Sequence, residues 1–254
     1  MPHPAKAAGA GSRRVVATLL LLALAVPLAS ITAFGQQSYV SRYNLYAGYT
    51  FLDSPRVSLF ENGFHVQAGV NPRTWYALGF DYSISSGNLT LTPNLLTPYW
   101  QGQLTDLLQL LAAEGQLPAG YTAADIAVPS NSRTQTFAGG PQLSYRHFRK
   151  MTLFVRPSIG AIHEVATPQP GSNPIYQAIV SALAPTGKKI DTTIFYGGGG
   201  GADFIVSKHI ALRVQADVVY DHLFSDVLQD GRVTVRFSVG PCFSIGKNIA
   251  KRSR

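Results

Sequence analysis

The sequence predicts an all-β protein: an eight-stranded antiparallel up-and-down transmembrane β-barrel with one long, partly helical extracellular loop. Three observations lead to this fold class. Apolar and polar residues alternate in eight separate segments, and the connections between the segments alternate between short and long. The more polar face of the segments carries acids and arginines in equal number, which can neutralise one another inside a barrel.

Each of the eight segments shows the period-two alternation of a β-strand. In residues 43–52, Tyr43, Leu45 and Ala47 share one face, whereas a helical face would repeat every three to four residues. Pro141 and Pro157 weaken the fourth and fifth segments, because proline cannot donate a hydrogen bond to a neighbouring strand. The other seven segments are 63–70, 75–84, 136–146, 152–162, 194–206, 210–220 and 233–243.

The sixth segment contains five consecutive glycines, residues 197–201. A phosphate-binding loop would require a Lys-Ser/Thr pair and a following helix, but the glycines are followed by Asp203 and β-branched or aromatic residues. We therefore expect the glycines to lie inside a strand, where they leave space for bulky neighbours such as Phe154 or Arg213. The glycines expected to point inward with Asp203 are Gly197, Gly199 and Gly201.

The connections between the segments alternate in length. This alternation is typical of an up-and-down barrel, which has short turns and both chain termini at one end and long loops at the other. The short connections are 71–74, 147–150 and 207–209, and the long ones are 53–62, about 86–133, about 167–189 and 221–231.

The charges on the polar face decide which face of the barrel meets lipid. A soluble barrel would have to expose eight apolar strand faces to water, so the apolar faces are expected to point outward into a membrane. Three acids and three arginines then point into a narrow lumen, where they neutralise one another. This predicted lumen charge cluster consists of Asp81, Arg156, Asp203, Arg213, Asp217 and Arg236.

The remaining acids are expected outside the lumen, all on the long-loop side, whereas the short-turn side carries basic residues only. Such a basic side is suited to contact anionic lipid headgroups or periplasmic polymers. The ten acids are Asp53, Glu61, Asp106, Glu114, Asp125, Glu164, Asp191, Asp221, Asp226 and Asp230.

Four stretches, YNLYAGYTF, GFDYS, LRVQADVVY and VRFSVGPCF, lie in a layout that resembles the OmpA-like and opacity-type small outer-membrane barrels. The resemblance covers roughly residues 40–246. It implies a place in the cell outer membrane, contact with outer-membrane lipid and lipopolysaccharide, and folding by the barrel-assembly machinery. A basic tail, GKNIAKRSR, follows the last aromatic residue, whereas barrels of this kind commonly end on that residue.

The first 35 residues are predicted to be a signal peptide. Lys6, Arg13 and Arg14 precede an apolar stretch at residues 15–28, and small residues place cleavage near Gly35. The general secretory and twin-arginine export routes both remain open. Residues 36–254 then form one barrel domain with a net charge of 18 − 13 = +5, and an exported chain of this kind is not expected to bind nucleic acid. The chain has one cysteine, so it forms no internal disulfide.

The sequence contains no convincing catalytic or metal site. His163 and Glu164 lack the second histidine of a zinc-binding helix. One loop has the residue types for nucleophilic catalysis, but close neighbours in sequence rarely supply its geometry. These residues are Asp221, His222, Ser225 and Asp226. We therefore expect no enzymatic activity, no metal and no cofactor.

The longest loop is predicted to contain a helix. Thr97 and Pro98 suit a helix start, leucines follow at helical spacing, and Gly115 can end the helix. Such a segment can fold over the barrel mouth, lie on the membrane surface or bind a partner. We expect a local lid, because long loops usually fold on themselves.

These features predict an integral outer-membrane protein with a structural or surface-interaction role, in which the long loops contact a surface ligand. A small diffusion pore and an outer-membrane lipid-modifying enzyme are the alternatives. The pore is disfavoured because side chains nearly fill an eight-stranded barrel.

Overall fold

The structure is a computed structural model that describes residues 37–118 and 120–250. The predicted signal peptide lies outside these residues. In the described part, eight strands form a closed barrel in which each strand pairs antiparallel with the next and β1 pairs with β8. This confirms the predicted fold class. The strands are β1 (Ser41–Ser54), β2 (Leu59–Val70), β3 (Tyr76–Leu91), β4 (Val128–Tyr145), β5 (Met151–Pro168), β6 (Lys189–Ile205), β7 (Ile210–Asp221) and β8 (Arg232–Asn248).

Two helices lie in the long loops, α1 (Pro98–Ala113) between β3 and β4 and α2 (Pro174–Leu183) between β5 and β6. The predicted helix start is confirmed, and Gly115 follows the end of α1 with φ +69°. Helix α2 was missed by the sequence pattern, although Asn173 caps it by accepting hydrogen bonds from two backbone N–H groups. Neither helix in the described residues has the length and hydropathy needed to span a bilayer.

Several strands extend further toward the long loops than the alternation predicted. Strand β3 continues to Leu91 and β4 begins at Val128, whereas alternation had placed their limits at 84 and 136. In these extensions most outward side chains are polar, for example Asn88 and Arg133. The strands thus rise above the lipid region, where alternation between apolar and polar residues no longer marks them.

The pairing of β4 with β5 is interrupted where both strands contain a proline. The register runs to Gly139 opposite Ile159 and resumes at Leu143 opposite Val155. Pro141 and Pro157 lie in the skipped stretch, and neither has an N–H group to donate. The weakening expected at these prolines is therefore confined to one short gap in a closed barrel.

The outer surface of the barrel is an apolar belt bounded by aromatic residues. Exposed aromatic side chains ring the short-turn end, and a second set lies toward the long loops, as transmembrane barrels require at the two membrane interfaces. Smaller apolar residues such as Val66, Leu78 and Leu212 lie between the two sets. The two sets consist of Tyr43, Trp75, Tyr145 and Phe243 at the short-turn end and Tyr49, Phe64, Phe137 and Tyr196 toward the loops, and Phe80 is a further exposed aromatic residue of the belt.

Candidate functional site in the barrel lumen

All six residues of the predicted lumen charge cluster point inward and are at most 8% exposed. Each lies on an inward position of its strand because side chains alternate between lumen and lipid along the chain. They form a group of four and a pair, which together we call the mid-lumen network. Its members are Asp81, Arg156, Asp203, Arg213, Asp217 and Arg236.

The group of four joins both acids to both arginines. Arg236 donates two hydrogen bonds to Asp217, at 3.1 and 2.9 Å, and lies 3.6 Å from Asp81. Arg156 lies 2.6 Å from Asp81 and 3.6 Å from Asp217. Because β3, β5, β7 and β8 each contribute one side chain, the two arginines bridge the barrel across its width.

The pair lies nearer the short-turn end. Arg213 binds Asp203 with two parallel hydrogen bonds of 2.6 and 2.8 Å, the strongest geometry for a guanidinium and a carboxylate. Its third bond, 2.7 Å, goes to Gln67 across the lumen, and its guanidinium lies 4.6 Å from the centre of the Phe154 ring. Gln67 in turn donates to Gln215, which donates to Asp217 and so connects the pair to the group of four.

The glycines of β6 make room for this network. Gly199 lies between Arg156 on β5 and Asp217 on β7, and a Cβ atom there would lie 2.0 Å from the Oδ1 atom of Asp217. The outward Gly198 has no such constraint, because its nearest neighbour would be an ordinary 3.6 Å away. Gly199 therefore leaves room for the charged side chain of Asp217, whereas at Gly197 and Gly201 an added Cβ atom would meet the neighbouring strand β7.

A second charged group lies above the network, toward the long loops, and corrects the expectation that its three acids lie outside the lumen. Glu61, Glu164 and Asp221 are all 0% exposed and point inward. Arg232 donates to Glu164 at 2.5 Å and to Asp221 at 3.2 Å. Glu61 instead accepts from Ser132 and Thr134. We call Glu61, Glu164, Asp221 and Arg232 the upper-lumen cluster.

The upper-lumen cluster has three acids and one arginine, so its charges do not balance. One carboxylate oxygen of Glu61 and one of Glu164 accept no hydrogen bond from the described residues. Apolar side chains lie on both sides of the cluster, below it and toward the long loops, and we call them the apolar plug. The plug is made of Val57, Leu59, Leu89, Leu95, Ile162, Ala166, Phe195, Val219, Leu223, Phe224 and Leu228.

The two long loops fold together above the plug into a helical cap, residues 92–118, 120–127 and 169–188. Leu104 and Leu111 of α1 pack in one apolar core with Ile175 and Ile179 of α2. The cap is tied to the β7–β8 loop, where Trp100 donates to the carbonyl of Asp226 at 3.0 Å. At its edge, hydrogen bonds from Thr122 lower the pKa of the Asp125 carboxyl. The loop helix is thus a lid over the mouth.

The residues considered for catalysis do not converge. Asp221 is buried in the lumen and accepts from Arg232 and from the N–H of Leu223, whereas the adjacent His222 is exposed and contacts the hydroxyl of Tyr220 at 3.3 Å. His163 likewise points outward to Thr192, on the face opposite Glu164. Within residues 37–118 and 120–250, no group of three or more His, Cys, Asp or Glu side chains is arranged to hold a metal ion.

Solved structures with this architecture are small outer-membrane barrels. Neisserial surface protein A (NspA) is similar with a TM-score of 0.50 and 10% identity, over 81% of this chain and 98% of that chain. The N-terminal barrel domain of Pseudomonas aeruginosa OprF has a TM-score of 0.39 and 9% identity, over 80% and 98% of the two chains. Ail of Yersinia pestis, solved with the heparin analogue sucrose octasulfate, has a TM-score of 0.41 and 12% identity, over 80% and 99%.

No protein-family model matches the sequence, and no curated protein matches it either. At 10% identity, the likeness to NspA shows the fold alone. The apolar belt shows that this copy of the fold crosses a membrane. The chain has the fold of the small outer-membrane barrels. Its place is the cell outer membrane. Barrels of this kind have short periplasmic turns and longer extracellular loops, so we expect the helical cap outside the cell and the short turns on the periplasmic side.

Proposed function

We propose that this protein is a closed outer-membrane barrel without enzymatic activity, whose helical cap binds a macromolecular partner outside the cell. The observation that carries the proposal is the cap itself. Its two loops share an apolar core, which also takes in Val128 of β4 and Val227 of the β7–β8 loop. Ordering loops of this length costs conformational entropy, and that cost is offset only if the loops bury apolar surface, as these do.

The cap also leaves apolar surface exposed, which supports a binding role. Tyr99 and Leu110 of α1 are 66% and 57% exposed. A groove of about 300 Å³ runs between the two helices and is lined mainly by Trp100, Leu107, Leu110, Ile179 and Leu183. Exposed apolar surface with a polar rim is typical of interaction sites, and aromatic residues supply much of the binding energy in such sites.

The test is a binding comparison with the refolded full-length barrel in lipid nanodiscs. The ligands are lipopolysaccharide, peptidoglycan and host-matrix components, with outer-membrane lipid as the background. We expect the double variant Tyr99→Ser, Leu110→Ser to lose at least about tenfold in affinity for the extracellular ligand, since two partly desolvated side chains are removed. Gln109→Ser, on the same exposed stretch of α1, is the matched control. Equal binding by all three proteins to every ligand would contradict a role for the cap.

The alternative of a diffusion pore is tested by conductance. Arg156, Arg213 and Arg236 extend across the lumen and are at most 5% exposed, and the apolar plug lies above them. We expect the refolded protein to show no steady single-channel current in planar bilayers. A variant in which a short Gly-Ser linker replaces residues 98–113 should remain silent, because the mid-lumen network still blocks the path. Ohmic channels in the wild-type protein would establish the pore instead.

A further inference from the structure

The periplasmic end of the barrel contains a cavity of about 350 Å³ that the proposed function does not use. The chain segment before β1 forms one side of it. Gln37 holds that segment in place, because its side-chain amide donates to the carbonyls of Phe148 and Met151 and to the hydroxyl of Thr152, at 2.8–3.2 Å. The lower ends of β1, β6, β7 and β8 form much of the remaining wall.

The charges around this base pocket are strongly one-sided. Arg146, Arg149 and Lys208 line it, and among the described lining residues Asp203 is the one acid. Asp203 is already bound by two hydrogen bonds from Arg213, so its charge is compensated. The three basic side chains therefore face the cavity without an acid of their own.

Of the three basic residues, Arg146 gives the clearest evidence for a bound anion. Its hydrogen bonds go to neutral oxygens, namely the carbonyl of Thr74 at 2.7 Å, the hydroxyl of Thr152 at 3.1 Å and the amide oxygen of Gln37 at 3.4 Å. Burial lowers the pKa of this guanidinium, although arginine stays charged in proteins. Arg146 is partly buried and forms no ion pair with a described carboxylate. Partial burial of an unpaired cation is costly, and an anion in the cavity would offset that cost.

We propose that the base pocket binds a phosphate group on the periplasmic side of the membrane. Two guanidinium groups and one ammonium group supply the positive charge, and arginine forks match the geometry of phosphate oxygens. The hydroxyls of Ser38, Thr152 and Ser207 add neutral donors on the same wall. The volume lies at the lower end of the range of about 300–1,000 Å³ for small-molecule sites, which suits a phosphate with a small substituent.

The phosphate has two sources, a soluble phosphate compound or the headgroup of an inner-leaflet phospholipid. Calorimetric titrations of the refolded full-length protein in neutral detergent, at constant ionic strength, separate them. One titration uses inorganic phosphate and the other uses short-chain phosphatidylglycerol. We expect saturable binding in at least one. Binding of the lipid at least tenfold tighter than phosphate assigns the headgroup, and comparable or weaker binding of the lipid assigns the soluble compound.

The variant Arg149→Gln, Lys208→Gln should weaken this binding at least tenfold. Both side chains are exposed on turns, so the barrel should fold normally. Arg73→Gln removes an exposed charge from another turn at the same end, outside the pocket, and should leave the affinity unchanged. An equal loss in Arg73→Gln would mean diffuse surface attraction and would overturn the site, as would the absence of saturable binding to both probes.

Cys242, the one cysteine of the chain, provides a readout of position because it lies in the pocket wall. Saturating ligand should slow its reaction with a small uncharged thiol reagent at least threefold in the wild-type protein. The slowing should disappear in the Arg149→Gln, Lys208→Gln variant at the same ligand concentration. Saturable binding that leaves the thiol reaction unchanged would place the ligand elsewhere and overturn the assignment.

Discussion

The mid-lumen network and the upper-lumen cluster lie in the same barrel, yet their charges are arranged differently. The network pairs three acids with three arginines, and every member lies within 4 Å of an opposite charge. The upper-lumen cluster sets three acids against Arg232 alone. Glu61 takes its hydrogen bonds from hydroxyl groups instead.

This difference indicates what each group contributes to the stability of the barrel. Within a balanced network, any single deletion takes away an opposite charge from at least one buried group, which is strongly destabilising. Within a cluster that has excess acid, loss of one carboxylate removes repulsion as well as hydrogen bonds. We therefore expect the network to fix the barrel interior, and the cluster to tolerate the loss of charge at Glu61, which binds no arginine among the described residues.

The largest effect is expected for Arg236→Ala. This change leaves Asp217 with only the more distant Arg156, at 3.6 Å, and breaking a buried pair costs about 3–5 kcal/mol. Urea unfolding in lipid vesicles measures the loss. Arg56→Ala is the control, since Arg56 pairs with Asp230 at the exposed rim and such surface pairs contribute at most about 1 kcal/mol. A similar loss of unfolding free energy in both variants would show that the network contributes no more to stability than an exposed salt bridge.

A lipid-facing position next to the network gives the next largest effect. Val214 follows Arg213 in β7 and points outward, so Val214→Arg places a charge in the lipid region, at a cost of about 2–4 kcal/mol near mid-membrane. Val214→Leu should be nearly neutral in the same unfolding assay. If the arginine variant unfolds at the wild-type urea concentration, the apolar belt does not meet lipid.

The comparison of the two charged groups is sharpest for a pair of isosteric changes. Asp217→Asn removes a carboxylate that accepts charged hydrogen bonds from Arg236, and such bonds are worth about 1.5–3 kcal/mol. Glu61→Gln keeps an oxygen that can accept from Ser132 and Thr134 and removes one of the excess charges, so we expect a change below about 1 kcal/mol. Equal losses in the two variants would erase the distinction between the groups.

Strand alternation predicted the fold and the placement of the mid-lumen network, because each strand must present an apolar face to lipid wherever it crosses the membrane. Arg213 and Val214 illustrate this: one residue step reverses the environment, and the side-chain types follow. Gly199 belongs to the same pattern, since its position between Arg156 and Asp217 follows from strand order.

The upper-lumen cluster was not predictable in this way. Above the lipid region most outward side chains are polar too, as at Asn88 and Arg133, so a polar residue there does not reveal which face it occupies. The sequence therefore predicts Glu61 and Glu164 on the long-loop side, outside the lumen. Arg232 lies between the last long loop and the start of the eighth apolar run, where alternation assigns no face.

The sequence contains a local signal for helix α2 that strand alternation does not reveal. Asn173 is followed by Pro174, a favourable first residue of a helix, and Ile175 and Ile179 have helical spacing. The packing of α2 on α1 depends instead on contacts between loops about 70 residues apart in sequence, which no local rule contains.

The seam between β1 and β8 has a consequence for how the chain assembles. There the backbone N–H of Val40 donates to Asn248, 208 positions later in the sequence. Such contacts between distant residues carry the highest entropic cost and are slow to form. Until the seam closes, both terminal strands have unpaired edges that invite pairing with other chains. A protein shortened within β8 would keep most of its hairpins but would lose the pairing that closes the barrel. We therefore expect it to aggregate rather than to form a smaller barrel.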